Sequence, residues 1–284
     1  MSRKTTPVSD FTYTITESRA VIGGYSGNDV DIIIPSDIDG YKVDVAPYAF
    51  KESGLVNVTL SKGITSVPHG AFQCCKALKS VVIPESLSEI ADCAFWECEH
   101  LEKINFPNRI KKIGTRAFAG CEKLSEIILP DGLEYIGEAA FNHTGIKQIH
   151  IPFSVTYLGK SAFLCCYNLM FVQIDGNFDT IEDHTFQSCT KLVSVIFGDQ
   201  CKIKVIGKQA FYNCKILTRI KLPHSLSKIE TEAFLQCPLL SGIEFPDKKV
   251  KVRQSAFIDS PKPKKTKNIK IISDPISYYL LSDC

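Results

Sequence analysis

Ten phenylalanines, Phe50, Phe72, Phe95, Phe118, Phe141, Phe163, Phe186, Phe211, Phe234 and Phe257, stand 22, 23, 23, 23, 22, 23, 25, 23 and 23 residues apart. Alanine precedes all of them except Phe186, which follows Thr185. A period of this size restricts the chain to stacked units. One unit cannot bury its own apolar edge, so neighbours must do it.

Each Phe starts the same ladder. In one unit Phe72 is followed by Cys75, Leu78, Val81, Ile83, Pro84, Leu87 and Ile90. Another runs Phe118, Cys121, Leu124, Ile127, Leu129, Pro130, Leu133, Ile136, and the unit at Phe211 repeats it with Cys214, Leu217, Ile220, Leu222, Pro223, Leu226 and Ile229. Ile-x-Ile alternates as a short strand does, and the proline after it removes a ladder donor and ends the strand. Apolar positions three apart suit turns or 3-10 pieces on the return path. The period and the Leu-x-x-Ile-x-Ile segment are those of a leucine-rich repeat. The pattern predicts about ten stacked coils, with short parallel strands on a concave face and turns on a convex one. At ~4.8 Å per strand, ten coils give a sheet roughly 45 Å long.

The ends need covers. Residues 1–10 read as a disordered segment. Residues 11–48 read as an N-terminal β cap, with Phe11-Thr-Tyr-Thr-Ile-Thr alternating as a strand and Val30-Asp-Ile-Ile-Ile34-Pro35 ending as the repeats do. The solenoid spans 49–272, and 273–284 is a tail or partial cap. The last strand, Asn268-Ile-Lys-Ile-Ile272, follows a basic loop, and Tyr278-Tyr-Leu-Leu281 is not a polar capping unit. Self-association through the end coil is therefore one expectation. Asp175 and Gly198 replace the proline in two consecutive units, where small changes of curvature are expected.

The run from Leu124 to Phe141 closely matches Leu-x-x-Ile-x-Ile-Pro-x-x-Leu-x-x-Ile-Gly-x-x-Ala-Phe, with Leu129 for the second Ile and Thr144 where Cys follows. On this pattern, and on Asp39-Gly-Tyr-Lys-Val43, the chain resembles the BspA-type leucine-rich-repeat family over about residues 11–272. The resemblance implies a leucine-rich-repeat solenoid, α/β or mostly β. It also implies a surface or secreted scaffold of adhesive role, with a host extracellular-matrix or cell-surface protein as one class of partner.

Chemistry-bearing residues give no catalytic pattern. There is no nucleophile elbow, phosphate loop or carboxylate pair, so the chain reads as non-catalytic and without cofactor. Seven cysteines lie three residues after the repeat Phe: Cys75, Cys98, Cys121, Cys166, Cys189, Cys214 and Cys237. Ser53, Thr144 and Ser260 take that place in other units, so the position calls for a small weak donor, read as a reduced thiol capping a neighbouring carbonyl. A disulfide is the alternative. No metal site is expected, because a linear column is not tetrahedral. The six histidines recur at no fixed repeat position. A formal net charge of +2 gives no pull toward nucleic acid, and the nine Lys or Arg from Lys248 to Lys270 read as a solvated loop. No apolar run reaches the ~18 residues of a membrane span. The basic start, Met1 to Pro7, has no apolar segment after it, so a secretory signal is not expected. A cytoplasmic chain stands beside the surface chain that the resemblance implies.

Strand alternation names the side chains of the concave face. Lys103, Asn105, Ile128, Gln148, His150, Met170, Phe171, Gln173, Ile196, Arg219 and Lys221 form the candidate binding strip. Ile128, Phe171 and Ile196 make an apolar centre with Met170 beside it, framed by the cations. A centre and rim of this kind fit a protein or peptide ligand. β propensity alone would also place Ile and Phe on a strand. A homo-oligomer is the alternative outcome.

Overall fold

The computed structural model describes residues 6–264 and 267–275. The chain is a β-solenoid of about eleven turns, and the single helical element among the described residues is a 3-10 turn, Val8–Asp10. The ten Phe rings form one continuous spine. Successive centroids lie 5.1 to 5.5 Å apart with planes within 13° of parallel. Phe72, Phe95, Phe118, Phe141, Phe163, Phe186, Phe211 and Phe234 are fully buried, as is the Ala before the ring in every coil from Phe72 to Phe257 except that of Phe186.

Most coils contribute a first strand at the Ile-x-Ile segment. Asp31–Ile34, Asn57–Leu60, Ser80–Val82 and Lys103–Ile104 pair in parallel as one sheet. Gln148–Ile151, Phe171–Ile174, Ser194–Phe197, Arg219–Lys221 and Gly242–Glu244 form another. Because Asp31–Ile34 joins this ladder, part of the predicted cap is itself the first turn. The rest of the cap is a separate sheet of Phe11–Ile15, Arg19–Tyr25, Tyr41–Val45 and Asp37–Ile38. Residues 6–10 lie against it and its neighbour: Thr6 is buried, and its Oγ1 accepts from Ile33 N–H at 2.8 Å.

Alternation predicts one strand in each coil, and most coils have two. Pairs such as Glu89–Ile90, Lys112–Ile113 and Tyr135–Ile136 form a second parallel ladder on an adjoining face. Ile269–Ile272 is the last strand of this second ladder, beside Val250–Arg253. Tyr278–Leu281 lies outside the described residues.

The return path is turns, with no 3-10 helix among the described coils. In the coils of Phe50 to Phe234 the residues two before and two after the ring have positive φ, for example Ala139 (52°) and His143 (56°) around Phe141. This geometry turns the backbone so that three N–H groups of one coil reach the next. Cys93, Phe95 and Glu97 donate to Thr115, Ala117 and Ala119, each at 2.8 Å. The strand ladder runs the other way, as in Glu102 N–H to Lys79 C=O at 2.9 Å. Each coil is thus tied by bonds of opposite sense on opposite sides of the ring column.

The Phe carbonyl stays outside these ladders. In most coils it accepts from the N–H of the residue three on, as Phe72 does from Cys75, and from the thiol of the next coil. Sγ of Cys75, Cys98, Cys121, Cys166, Cys189, Cys214 and Cys237 lies 2.9 to 3.4 Å from the carbonyl of Phe50, Phe72, Phe95, Phe141, Phe163, Phe186 and Phe211 respectively. Ser260 Oγ does the same to Phe234 at 2.6 Å, whereas Thr144 Oγ1 donates to Phe141 of its own coil at 2.9 Å. All eleven described cysteines are free.

Candidate functional site

Both sheets break once. The first ladder has no strand at residues 126–129, between Lys103–Ile104 and Gln148–Ile151. Phe106 stands here at a core position that Ile83, Leu129 and Ile151 fill in other coils, and its ring lies 5.7 Å from that of Phe118. Phe197 fills the same position in a later coil, where the strand still pairs with its neighbour, so a ring at this place does not by itself break the ladder. C-terminal to the break the strands lengthen, because Asp175 and Gly198 supply the N–H that proline lacks. They donate to Ile151 C=O and Ile174 C=O, each at 2.9 Å.

The break and the lengthened strands form a hollow of about 350 Å³. Ile128, Gln148, His150, Phe171, Gln173 and Ile196 line it, over a floor that includes Ile127, Leu129 and Val172. Ile128 is 87% exposed, Ile196 58% and Phe171 49%. The residues of the predicted apolar centre therefore meet in one concavity, except Met170, which is half-buried at the strand entrance and does not line it. Lys103 and Asn105 lie across the break. Arg219 and Lys221 border a second hollow of about 300 Å³, which shares Ser194 and Ile196 with the first. The Arg219 side chain lies along Gly242, where a Cβ would meet its Cγ at 2.9 Å. Lys103, Arg219 and Lys221 make no ion pair with any described residue.

One site residue was missed by strand alternation. Asp175 Oδ2 sits 2.7 Å from His150 Nε2 and accepts from Gln173 Nε2 at 3.0 Å, fixing the polar edge of the hollow. The loss of proline in two consecutive coils was its signal. N-terminal to the break the strip is occupied internally: Ser80 Oγ donates to Asn57 Oδ1 at 2.6 Å, and Asn57 Nδ2 to Asp31 Oδ1 at 2.7 Å.

The BspA-type leucine-rich-repeat region model, in six copies, matches residues 43–170 and 158–284. The chain belongs to that family. Its repeats are generally those of non-enzymatic scaffolds that meet protein partners, and no catalytic family is indicated. Among solved structures, a leucine-rich-repeat protein of T. pallidum is similar, at 27% identity over 75% of this chain and 91% of its own, with a TM-score of 0.57. A leucine-rich cell surface protein of Faecalibacterium prausnitzii shares the fold at 23% identity, over 94% and 96% of the two chains, with a TM-score of 0.51. So does the pneumococcal vaccine antigen PcpA, at 21% identity over 94% and 87%, with a TM-score of 0.57. A search of curated protein sequences gives no significant match. No helix among the described residues is long and apolar enough to cross a membrane.

Proposed function

We propose that this chain is a non-catalytic adhesion scaffold that captures a protein or peptide on its first-strand face, with Ile128, Phe171 and Ile196 as the apolar anchor. The observation that carries the reading is the hollow itself. Large apolar side chains stand exposed together at a sheet break, bordered by unpaired cations and a fixed Asp175–His150 edge. Apolar centres with polar rims are what protein interfaces look like. The cell-surface neighbour supports placement at a surface or outside the cell. Capture assays against extracellular-matrix proteins and against cell lysate, run side by side, test the reading. Phe171→Asp and Arg219→Glu are expected to abolish capture and leave circular dichroism unchanged. Normal capture by both variants would place binding elsewhere.

A second reading is self-assembly. It is favoured by a hollow of about 720 Å³ at the last described coil, lined by Phe257, Ile258, Ile269 and Ile271. Light scattering of the full chain decides it, and a strict monomer at high concentration removes it.

A further inference from the structure

The second ladder breaks between Tyr157–Leu158 and Thr180–Ile181. Elsewhere two bonds flank each pair of second strands, as in Lys111 N–H to Ser88 C=O and Gly114 N–H to Ile90 C=O, both 2.8 Å. At the break their equivalents, Asp179 N–H to Thr156 C=O and Glu182 N–H to Leu158 C=O, are not made. Phe178 stands where other coils carry Leu87, Leu133 or Val155, and a Cβ on Gly176 would meet it at 2.1 Å. At the break lies a groove of about 350 Å³, with Thr156 and Leu158 C=O on one wall and Asp179 and Glu182 N–H on the other.

An aromatic stack ends at this groove. Glu89 pairs with Lys112 at 2.8 Å, Lys112 Nζ stands 5.9 Å over the Tyr135 ring, and Tyr135 stacks on Tyr157 with centroids 4.7 Å apart at 10°. Tyr157 is 41% exposed. One ring face is covered by Tyr135. Tyr157 lines the groove together with Thr180, which holds the equivalent place in the next coil and is too short to continue the stack. Around it, Asp179 and Glu182 balance Lys202 and Lys204, so the groove has no preference for a polyanion.

We infer that this groove binds a neutral saccharide. One pyranose ring lays its C–H face on the open face of Tyr157, and its hydroxyls bridge the two unpaired backbone walls. A hydroxyl is both donor and acceptor, so a polyhydroxylated ring satisfies both walls at once. A few convergent polar groups beside an apolar platform are the ordinary make-up of a small-ligand site. Stacking on a tyrosine supplies area with little rotamer cost. This site is separate from the first-strand hollow and does not depend on it.

The test is titration calorimetry of the full chain with maltotriose, cellotriose, chitotriose and mannotriose, with adenosine as a flat non-sugar ring. At least one saccharide is expected to bind. Tyr157→Ala should weaken it at least tenfold and Tyr157→Phe should keep it. Thr180→Trp, which fills the next place in the stack, should abolish it without lowering the melting temperature. Phe171→Asp should leave it unchanged. Binding by none of the saccharides, binding by adenosine alone, or saccharide binding that survives both Tyr157→Ala and Thr180→Trp overturns the inference.

Discussion

Asp175 Oδ1 lies so close over Gly198 that a Cβ there would meet it at 2.1 Å. The two residues replace the repeat proline in consecutive coils, and each depends on the other. Asp175 is held by His150 and Gln173, and Gly198 leaves the room that this carboxylate fills. Gly198→Ala should therefore cost about 1–3 kcal/mol, the usual range for overpacking. In an Asp175→Pro background the same change should cost less, since the obstructing carboxylate is gone. A double-mutant cycle by urea denaturation reads the coupling. Equal costs in both backgrounds would show that the contact does not set the strand edge.

The thiol column makes stability depend on alkali. Burial pushes Cys166 up to about 11, from an ordinary value near 9. Burial also raises Cys98, Cys121, Cys189 and Cys214. The folded state then holds protons that the unfolded state releases. Stability is fully present below pH 9 and is lost as pH rises from 9 through 11. For Cys166 alone the loss is on the order of 3 kcal/mol. Urea midpoints between pH 8 and pH 11 should fall steeply for the wild type and less for Cys166→Ser, which keeps a donor on Phe141 C=O without an accessible ionisation. A flat pH profile would exclude this linkage.

Exposure sorts the remaining thiols. Cys74, Cys93 and Cys165 are half-buried on the turn side, whereas the column members and Cys201 are buried. A thiol reagent on the native chain should label the first three well ahead of the column, with mass spectrometry of timed samples giving the order. Early labelling of Cys121 or Cys189 would mean that the coils open locally.

Much of this fold is legible in the residues, because spacing and alternation are one-dimensional signals. Phe118, Cys121, Ile127 and Leu129 name their places by position alone, and Ile128 shows outward by parity. The two breaks are not legible that way, since no repeat position marks them: Phe106 precedes one, yet Phe197 at the same position belongs to a paired strand. The second strand was hidden because two residues such as Lys112–Ile113 carry no readable alternation. The left-handed turns did leave a trace. No Val, Ile or Thr stands two before or two after the ring in the coils of Phe50 to Phe234, where a branched Cβ would clash at positive φ. Glycine takes the place at Gly70 and Gly120. Ala139, at φ 52°, bears the strain of an L side chain there. Ala139→Gly should raise stability by up to about 1 kcal/mol, less the entropy that glycine adds to the unfolded chain. A lower melting temperature for this variant would show that the buried methyl of Ala139 outweighs the backbone strain.

The ring spine predicts a position-dependent cost. Phe163 stacks on Phe141 at 5.4 Å and on Phe186 at 5.5 Å, whereas Phe257 has one ring partner, Phe234, among the described residues. Truncating an interior ring removes transfer energy and opens a cavity that two rigid neighbours cannot close, so Phe163→Ala should cost about 3–5 kcal/mol. Phe257→Ala removes one interface and should cost less than that. In a quasi-one-dimensional stack the interior change should also uncouple the two flanks, giving a second transition in urea where the wild type shows one. Equal losses from the two variants, with a single transition in each, would mean that the rings fill space without carrying the contact between coils.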